Sequence, residues 1–140
     1  MLVAYTNALQ IIRTLRPIVE QLKSYDANAA DQVVRAATSI THNVAEGSRR
    51  TGKDRKCFYR RAAGSASEVL AALDTADAWG WNVNTAEARV LLDRELALLW
   101  GLCRGGRGRG AIAARAGDRG RRVPSARRRS SPTHPRCRGR

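Results

Sequence analysis

Apolar residues recur at steps of three and four through almost all of residues 9–103, and this spacing constrains the fold more than any other feature of the sequence. Residues three and four apart lie on one face of an α-helix, so each run predicts an amphipathic helix with one buried side. No segment shows the sustained alternation of a strand. The four runs are Leu9, Ile12, Leu15, Val19 and Leu22, doubled by Ile11 and Ile18; Ala30, Val33, Ala37, Ile40 and Val44; Phe58, Ala62, Ser65, Val69, Leu73 and Ala76; and Ala88, Leu92, Leu96, Leu99 and Cys103.

Capping residues divide these runs into separate helices. Three starts are predicted where a short polar residue, which can cap a backbone N–H, is followed three residues later by an acid. These pairs are Asn28 with Asp31, Thr51 with Asp54, and Asn84 with Glu87. Gly47 and Gly80 are predicted to end the second and third helices in the left-handed conformation, and Pro17 predicts a kink or a helix start. Short connections make successive helices antiparallel, so the fold class is all-α, an up-down-up-down antiparallel four-helix bundle.

The charge changes abruptly near residue 103. Residues 1–103 carry a net charge of +2, whereas residues 104–140 hold 13 Arg against the single Asp118 and contain 7 of the 12 glycines. We therefore predict a folded body over residues 1–103 and an Arg/Gly-rich disordered tail over residues 104–140, since such a composition cannot assemble a core. Two interpretations of the tail stay open: an arm that binds RNA or DNA without sequence preference, or the translation of a lost reading frame.

The cysteines and the N-terminus favour a cytoplasmic setting. Cys57, Cys103 and Cys137 are widely separated, with no C-x-x-C pair to suggest zinc or redox chemistry, and the odd count favours a reducing compartment. The first residues lack a basic segment followed by an uninterrupted apolar core, and no apolar run is long enough to span a bilayer. We expect no cofactor and no membrane partner.

Two motifs in the body are similar to those of a known family. The first is S-I-x-x-N-[IV]-A-E-G at the end of the second helix; the second is A-x-G-S-x-x-E on the third, followed by an aromatic–Gly corner. Here they comprise Ser39, Ile40, Asn43, Val44, Ala45, Glu46 and Gly47, then Ala62, Gly64, Ser65 and Glu68, then Trp79 and Gly80. Over roughly residues 5–100 the chain thus resembles the bacterial four-helix-bundle proteins encoded by intervening sequences within large-subunit ribosomal RNA genes. Their relatives include the accessory variability protein of diversity-generating retroelements.

The resemblance implies a homo-oligomer, pentameric in the retroelement branch, where the protein presents a basic surface to nucleic acid and to a reverse transcriptase. For the ribosomal branch it supplies no settled activity. After Leu102 relatives continue the fourth helix with amphipathic sequence, whereas here Arg, Gly, Ala, Ser and Pro take over.

The stretch G-S-R-R-T-G-K-D at residues 47–54 has the spacing of a phosphate-binding P-loop, but its context is wrong. A P-loop follows a strand and ends in Ser or Thr, whose hydroxyl binds Mg²⁺. Here a predicted helix precedes Gly47, and Asp54 stands in the hydroxyl position. We interpret the stretch as a corner between the second and third helices.

The same corner is the candidate nucleic-acid site. Seven basic residues stand against Asp54 alone between residues 49 and 61, a net charge of +6, which leaves the rest of the body at −4. They are Arg49, Arg50, Lys53, Arg55, Lys56, Arg60 and Arg61. A helix N-terminus adds backbone donors at this end, and phosphate contacts of this kind are sequence-tolerant and salt-dependent. The alternative is a solvated loop that balances the acidic remainder.

The other polar residues of the motifs are interpreted as structural. Asn43, Glu46, Ser65 and Glu68 could form an acid–base site, but no histidine is placed to activate the serine, so helix-end and interhelical contacts are favoured. Gly64 beside Ser65 is expected to let helix backbones approach closely. His42 shares a helix face with Glu46 but lacks a second pair of ligands for a metal. The three tryptophans are expected to pack at the bundle ends; Trp81 alone lies where it could stack on a base.

These features predict a non-enzymatic, oligomeric bundle that binds RNA, DNA or a nucleoprotein partner, such as a reverse transcriptase, through its basic corner. The alternative is a protein-interaction scaffold of the same fold without a nucleic-acid role.

Overall fold

The computed structural model describes residues 2–105, which form four α-helices and no strand. Their bounds are α1 Val3–Tyr25, α2 Ala27–Arg49, α3 Gly52–Ala78 and α4 Ala86–Arg104. The predicted all-α class and the order of four helices are confirmed. The tail is predicted to be disordered; its residues from 106 onward lie outside the described part of the chain.

The helices pack as neighbours around a closed square. The pairs α1–α2, α2–α3, α3–α4 and α1–α4 are all in contact. One residue separates α1 from α2 and two separate α2 from α3, which leaves room only for an antiparallel return. A consequence of this up-down-up-down order is that the α2–α3 corner lies at the same end of the bundle as the start of α1 and the end of α4.

The buried faces are largely those that the spacing predicts. All five predicted apolar positions of α2 are buried. On α1 the core face is turned slightly, because Ile11 and Ile18 are buried while Ile12 is 37% exposed. Tyr59 is the largest fully buried side chain within residues 2–105. No helix among those residues combines the length and the apolar character needed to cross a membrane.

The helix starts differ in detail from the predicted caps. Asp26, not Asn28, caps α2: its Oδ1 accepts a hydrogen bond from the Asn28 N–H at 2.8 Å. Thr51 does precede α3, but its hydroxyl makes no capping hydrogen bond. Asn84 accepts from the Ala86 N–H at 3.3 Å, so it contributes to the start of α4 from one residue before the capping position.

One of the two predicted glycine helix ends is wrong, and of the two alternatives at Pro17 the helix start is excluded. Gly80 has φ +72° and ends α3 as predicted. Gly47 lies inside α2, which continues to Arg49, and its φ is not positive. The α1 helix runs through Pro17, which lies on an exposed face, so no helix starts there.

The end of the bundle opposite the basic corner is held by an aromatic stack. The rings of Tyr25 and Trp81 lie 5.4 Å apart and nearly parallel, joining the end of α1 to the α3–α4 connection. The expectation of packing is wrong for Trp79, which is 72% exposed, and Trp100 is about half exposed.

Arg89 joins α3 to α4 near the same end. Its two terminal nitrogens donate to Asp74 at 2.5 Å and to Asp77 at 2.6 Å, while Nε donates to Thr85. This planar fork fixes the start of α4 against the last turns of α3.

Candidate nucleic-acid interface

Only two residues connect α2 and α3, and they leave the start of α3 open. The Arg50 N–H closes the last turn of α2 on the Gly47 carbonyl at 3.2 Å, and the chain then enters α3 through Gly52 with φ +57°. The first N–H groups of a helix have no partner within the helix. No side chain of residues 2–105 caps them here, so the positive end of a 27-residue helix faces the corner.

A close contact between α2 and α3 fixes the orientation of this corner. A Cβ atom added at Gly47 would stand 2.7 Å and 2.9 Å from two ring carbons of Tyr59 and 3.2 Å from Phe58 Cβ. Gly47 therefore serves to let α3 approach α2, in place of the helix-ending role predicted for it. The buried Tyr59 ring and the glycine together hold the first turns of α3 against the last turn of α2.

Three of the seven basic residues are engaged within the bundle. Arg50 donates from Nε to Glu46 at 2.8 Å and forms a second, shorter contact to the same carboxylate. Its guanidinium also lies over the Phe58 ring, 5.8 Å from the centroid. Arg61 lies over the same ring at 5.5 Å, and Arg55 lies 5.8 Å from the centroid of Tyr59. These side chains have part of their charge satisfied within the protein.

Three other cations are free to meet a ligand. Arg49, Lys53 and Arg60 are exposed, and none of them makes a hydrogen bond or ion pair with residues 2–105. Lys56 is half-buried. The neighbouring carboxylate of Asp54 is the one acid in the cluster between residues 49 and 61.

A shallow cleft lies where the start of α3 meets the end of α4. It encloses about 300 Å³ and is lined by Gly52, Lys53, Arg55, Lys56, Leu102 and Gly105. Beside it, the Cys103 sulfur lies 3.9 Å from the Lys56 carbonyl oxygen. Burial raises the pKa of the Cys103 thiol, which therefore stays neutral and adds no negative charge to the cleft. Three basic residues and the open start of α3 thus lie around one cleft.

The polar motif residues make short structural contacts rather than an acid–base pair. Ser65 donates to Ser39 Oγ at 2.9 Å, which bridges α3 and α2. Asn43 donates to the same Oγ at 3.1 Å and to the Ser39 carbonyl at 2.8 Å. Glu46 is bonded to Arg50, and Glu68 is exposed.

The surroundings of Gly64 and His42 bear on two other roles considered above, close helix packing and metal binding. The close helix approach expected at Gly64 is wrong, because this residue is exposed and an added Cβ would meet nothing within 4 Å. His42 is exposed, and no group of three or more His, Cys, Asp or Glu in the described residues is placed to hold a metal.

A buried polar pair links α1 to α4, and neither of its residues is among the candidates that the sequence predicts. Asn7 donates to Glu95 Oε2 at 2.8 Å and to the Leu91 carbonyl at 3.0 Å. Glu95 is fully buried, and its Oε1 accepts no hydrogen bond from residues 2–105. Burial raises the pKa of Glu95 to about 7, against opposing effects of the Asn7 hydrogen bond and the Arg94 charge.

The spacing of apolar residues in the sequence indicates that both members of this pair are buried. Glu95 lies three residues after Leu92 and four before Leu99, so it falls within the apolar stripe of α4. Asn7 holds the same kind of position between Ala4 and Ile11 on α1. A polar residue inside an apolar stripe is a candidate buried polar group.

Comparison with known proteins identifies one family. The family model described as 23S rRNA-intervening sequence protein matches residues 2–93, which include α1, α2, α3 and the first part of α4. No curated protein and no solved structure matches the chain.

Proposed function

Because the chain belongs to the 23S rRNA-intervening sequence protein family, we propose that it is a non-enzymatic, self-associating bundle that binds nucleic acid, or a nucleoprotein such as a reverse transcriptase complex, through the α2–α3 corner. The family description points to RNA as the first ligand to test. The proposal places the protein in the cytoplasm, the compartment in which bacterial ribosomal RNA is found.

The observation that carries this proposal is the concentration of unengaged positive charge at one end of the bundle. Arg49 ends α2, Lys53 lies in the first turn of α3, and Arg60 lies two turns further along α3, so all three are exposed near the open N-terminus of α3. Phosphate oxygens are the ligands that such an arrangement favours, because backbone N–H groups and ammonium or guanidinium groups all donate to them. The net charge of −4 on the rest of the body would turn the corner toward the polyanion.

The alternative function is a protein-interaction scaffold in which the corner is only solvated. Two observations favour it: Arg50 and Arg61 lie against Phe58 within the bundle, and an apolar groove is open between α1 and α2. The two functions differ in whether the corner charges change nucleic-acid affinity.

A pair of matched variants of the full chain tests this. The corner variant is R49Q/K53Q, and the control is R35E, which changes the net charge by the same amount at an exposed position on α2 outside the groove. The Arg-rich tail contributes equally to both, so any difference belongs to the bundle. Affinity for single-stranded and duplex RNA and DNA is measured by fluorescence anisotropy across a salt series.

We expect the corner variant to bind more weakly than the control. The slope of log Kd against log salt should fall by about one for each phosphate that the variant no longer neutralises. The control should retain the wild-type slope. Equal affinities and equal slopes for the two variants would show that the corner is solvated and would support the scaffold.

A further inference from the structure

A groove between α1 and α2 exposes apolar side chains on the outer face of the bundle. It encloses about 350 Å³, and its lining is mostly apolar. Ile12 is 37% exposed and Val34 46% exposed on its two sides. Its floor is made of Leu15, Val19, Val33 and Ala37. An apolar surface of this kind on a helix pair fits the apolar side of another helix.

The rim of the groove is positive. Arg13 and Arg16 line it from α1. Lys23 also lies on the rim, but it is paired with Glu20 at 2.9 Å. A helix with an apolar ridge and acidic flanks would therefore complement the groove in both shape and charge.

The chain itself carries such a ridge, on the outward side of α4. Val90 is 69% exposed, although α4 is otherwise amphipathic. Glu87 and Asp93 flank it one turn away on either side, and both are exposed. Ala97 continues the ridge two turns on; Arg94 lies one turn from Val90, and the preceding Arg89 is paired with two aspartates of α3. The charge around Val90 is thus opposite to that of Arg13 and Arg16 on the groove.

The groove and the ridge also lie at the same height along the bundle. The hydrogen bonds of Asn7 place residue 7 of α1 level with residues 91–95 of α4. Because the two helices are antiparallel, residue 10 is then level with Val90. Ile12 lies two residues further, a difference of about 3 Å at 1.5 Å per residue. A second bundle set alongside, without a shift along its axis, brings its Val90 to the groove beside Ile12.

The same placement pairs the charges. Arg13 is level with Glu87 by the same count, and Arg16 lies one turn beyond it.

We propose that the occupant of the α1–α2 groove is the α4 ridge of a second copy of this chain, so that copies associate head-to-tail with their bundle axes side by side. This inference rests on the self-association included in the proposed function and names the two surfaces that carry it. Because the two surfaces differ, each copy presents one groove and one ridge, and a chain of copies closes into a ring when the rotation between neighbours allows it.

The interface is tested by making the same change, valine to glutamate, at three exposed valines of the full chain. V34E changes the groove, V90E changes the ridge, and V3E changes α1 outside both surfaces. A carboxylate at position 34 would face the acidic flanks of the ridge, and one at position 90 would have to leave water for the apolar floor of the groove. The mass of nucleic-acid-free protein is measured by analytical ultracentrifugation, and circular dichroism checks that each variant retains its helices.

We expect the wild type and V3E to form the same oligomer, and V34E and V90E each to sediment as a 15.3 kDa monomer. Mixing the two monomers should give a dimer and nothing larger, because the V34E ridge and the V90E groove make one intact interface. A mixture that stays monomeric would overturn the head-to-tail arrangement.

The remaining outcomes separate this inference from the proposed function. A wild-type oligomer whose mass survives both V34E and V90E would mean that the chain self-associates through other surfaces, with the groove open to a different partner. A monomeric wild type would overturn both the interface and the self-association, while the salt-dependent binding of the corner would still be judged by its own variants.

Discussion

At the scale of single residues, Gly47 shows how one missing side chain positions the candidate interface. The absence of a Cβ lets the Tyr59 ring approach the backbone of α2, and this contact sets the first turns of α3 beside Arg49. The helix itself would favour alanine here, since Gly costs about 1 kcal/mol relative to Ala in a helix interior. The packing constraint outweighs that cost.

We predict opposite effects for the same substitution at two helical glycines. G47A forces an overlap with Tyr59 and should lower the free energy of unfolding by about 1–3 kcal/mol. G64A meets nothing within 4 Å and should raise it by about 0.5–1 kcal/mol. Urea denaturation of both full-length variants measures the two values. Equal stabilisation by the two substitutions would show that Tyr59 yields and that Gly47 is not needed for packing.

At the scale of helices, the sequence predicts which faces are buried better than it predicts where helices begin and end. All five apolar positions of α2 are buried because periodicity reports the whole length of a helix against its neighbours. The start of that helix depends on one hydrogen bond, and Asp26 and Asn28 are both good capping residues two positions apart. Local chemistry therefore allows either start.

The roles of Gly47 and Glu95 are hard to predict for a related reason: each depends on a residue of another helix. A glycine near a helix end has the same sequence pattern whether it terminates the helix or admits an aromatic ring from the next one. Only the position of Tyr59 across the interface decides between them. Glu95 is on the apolar stripe, but its burial depends on Asn7, which is 88 residues away in sequence.

The Asn7–Glu95 contact between α1 and α4 should make the stability of the bundle depend on pH. With the pKa of Glu95 raised from 4.5 to about 7, the unfolded chain releases this proton first as the pH rises. The free energy of unfolding should therefore fall between about pH 4.5 and pH 7, by about 3 kcal/mol in all, and change little from this source above that range. Below about pH 4.5 the carboxyl is protonated in both states and contributes no pH dependence.

E95Q tests this, since a neutral amide can accept the Asn7 hydrogen bond at every pH. Relative to the wild type it should gain stability as the pH rises from about 4.5 to 7, as measured by urea denaturation at a series of pH values. E68Q, at an exposed position on α3, is the control and should follow the wild type. Parallel curves for E95Q and the wild type would mean that Glu95 ionises normally in the folded bundle.

At the scale of the whole molecule, the two proposals constrain each other. The groove and the ridge lie on the sides of the bundle, whereas the basic corner lies at one end. Side-by-side copies that share one axial direction therefore carry all their corners at the same end of the assembly. A nucleic acid longer than one bundle end could then contact several corners at once, and each further contact would be made at a high effective concentration.

This arrangement predicts that assembly matters only for long ligands. Two helix diameters make one bundle end about 20 Å across. An oligonucleotide of that length should bind wild type and V34E with similar affinity per chain. One several times longer should bind the wild type more than tenfold more tightly than V34E. Anisotropy titrations with both lengths, at one salt concentration, measure the ratio.

The corner variant distinguishes this gain from one produced by clustered tails. R49Q/K53Q keeps the groove, the ridge and the tail, so it should still assemble. Its gain in affinity with ligand length should be smaller than that of the wild type, because each copy binds the ligand with fewer corner charges. If V34E gained as much affinity with length as the wild type, the corners would have to act singly. If R49Q/K53Q gained as much, the length dependence would have to come from residues outside the corner.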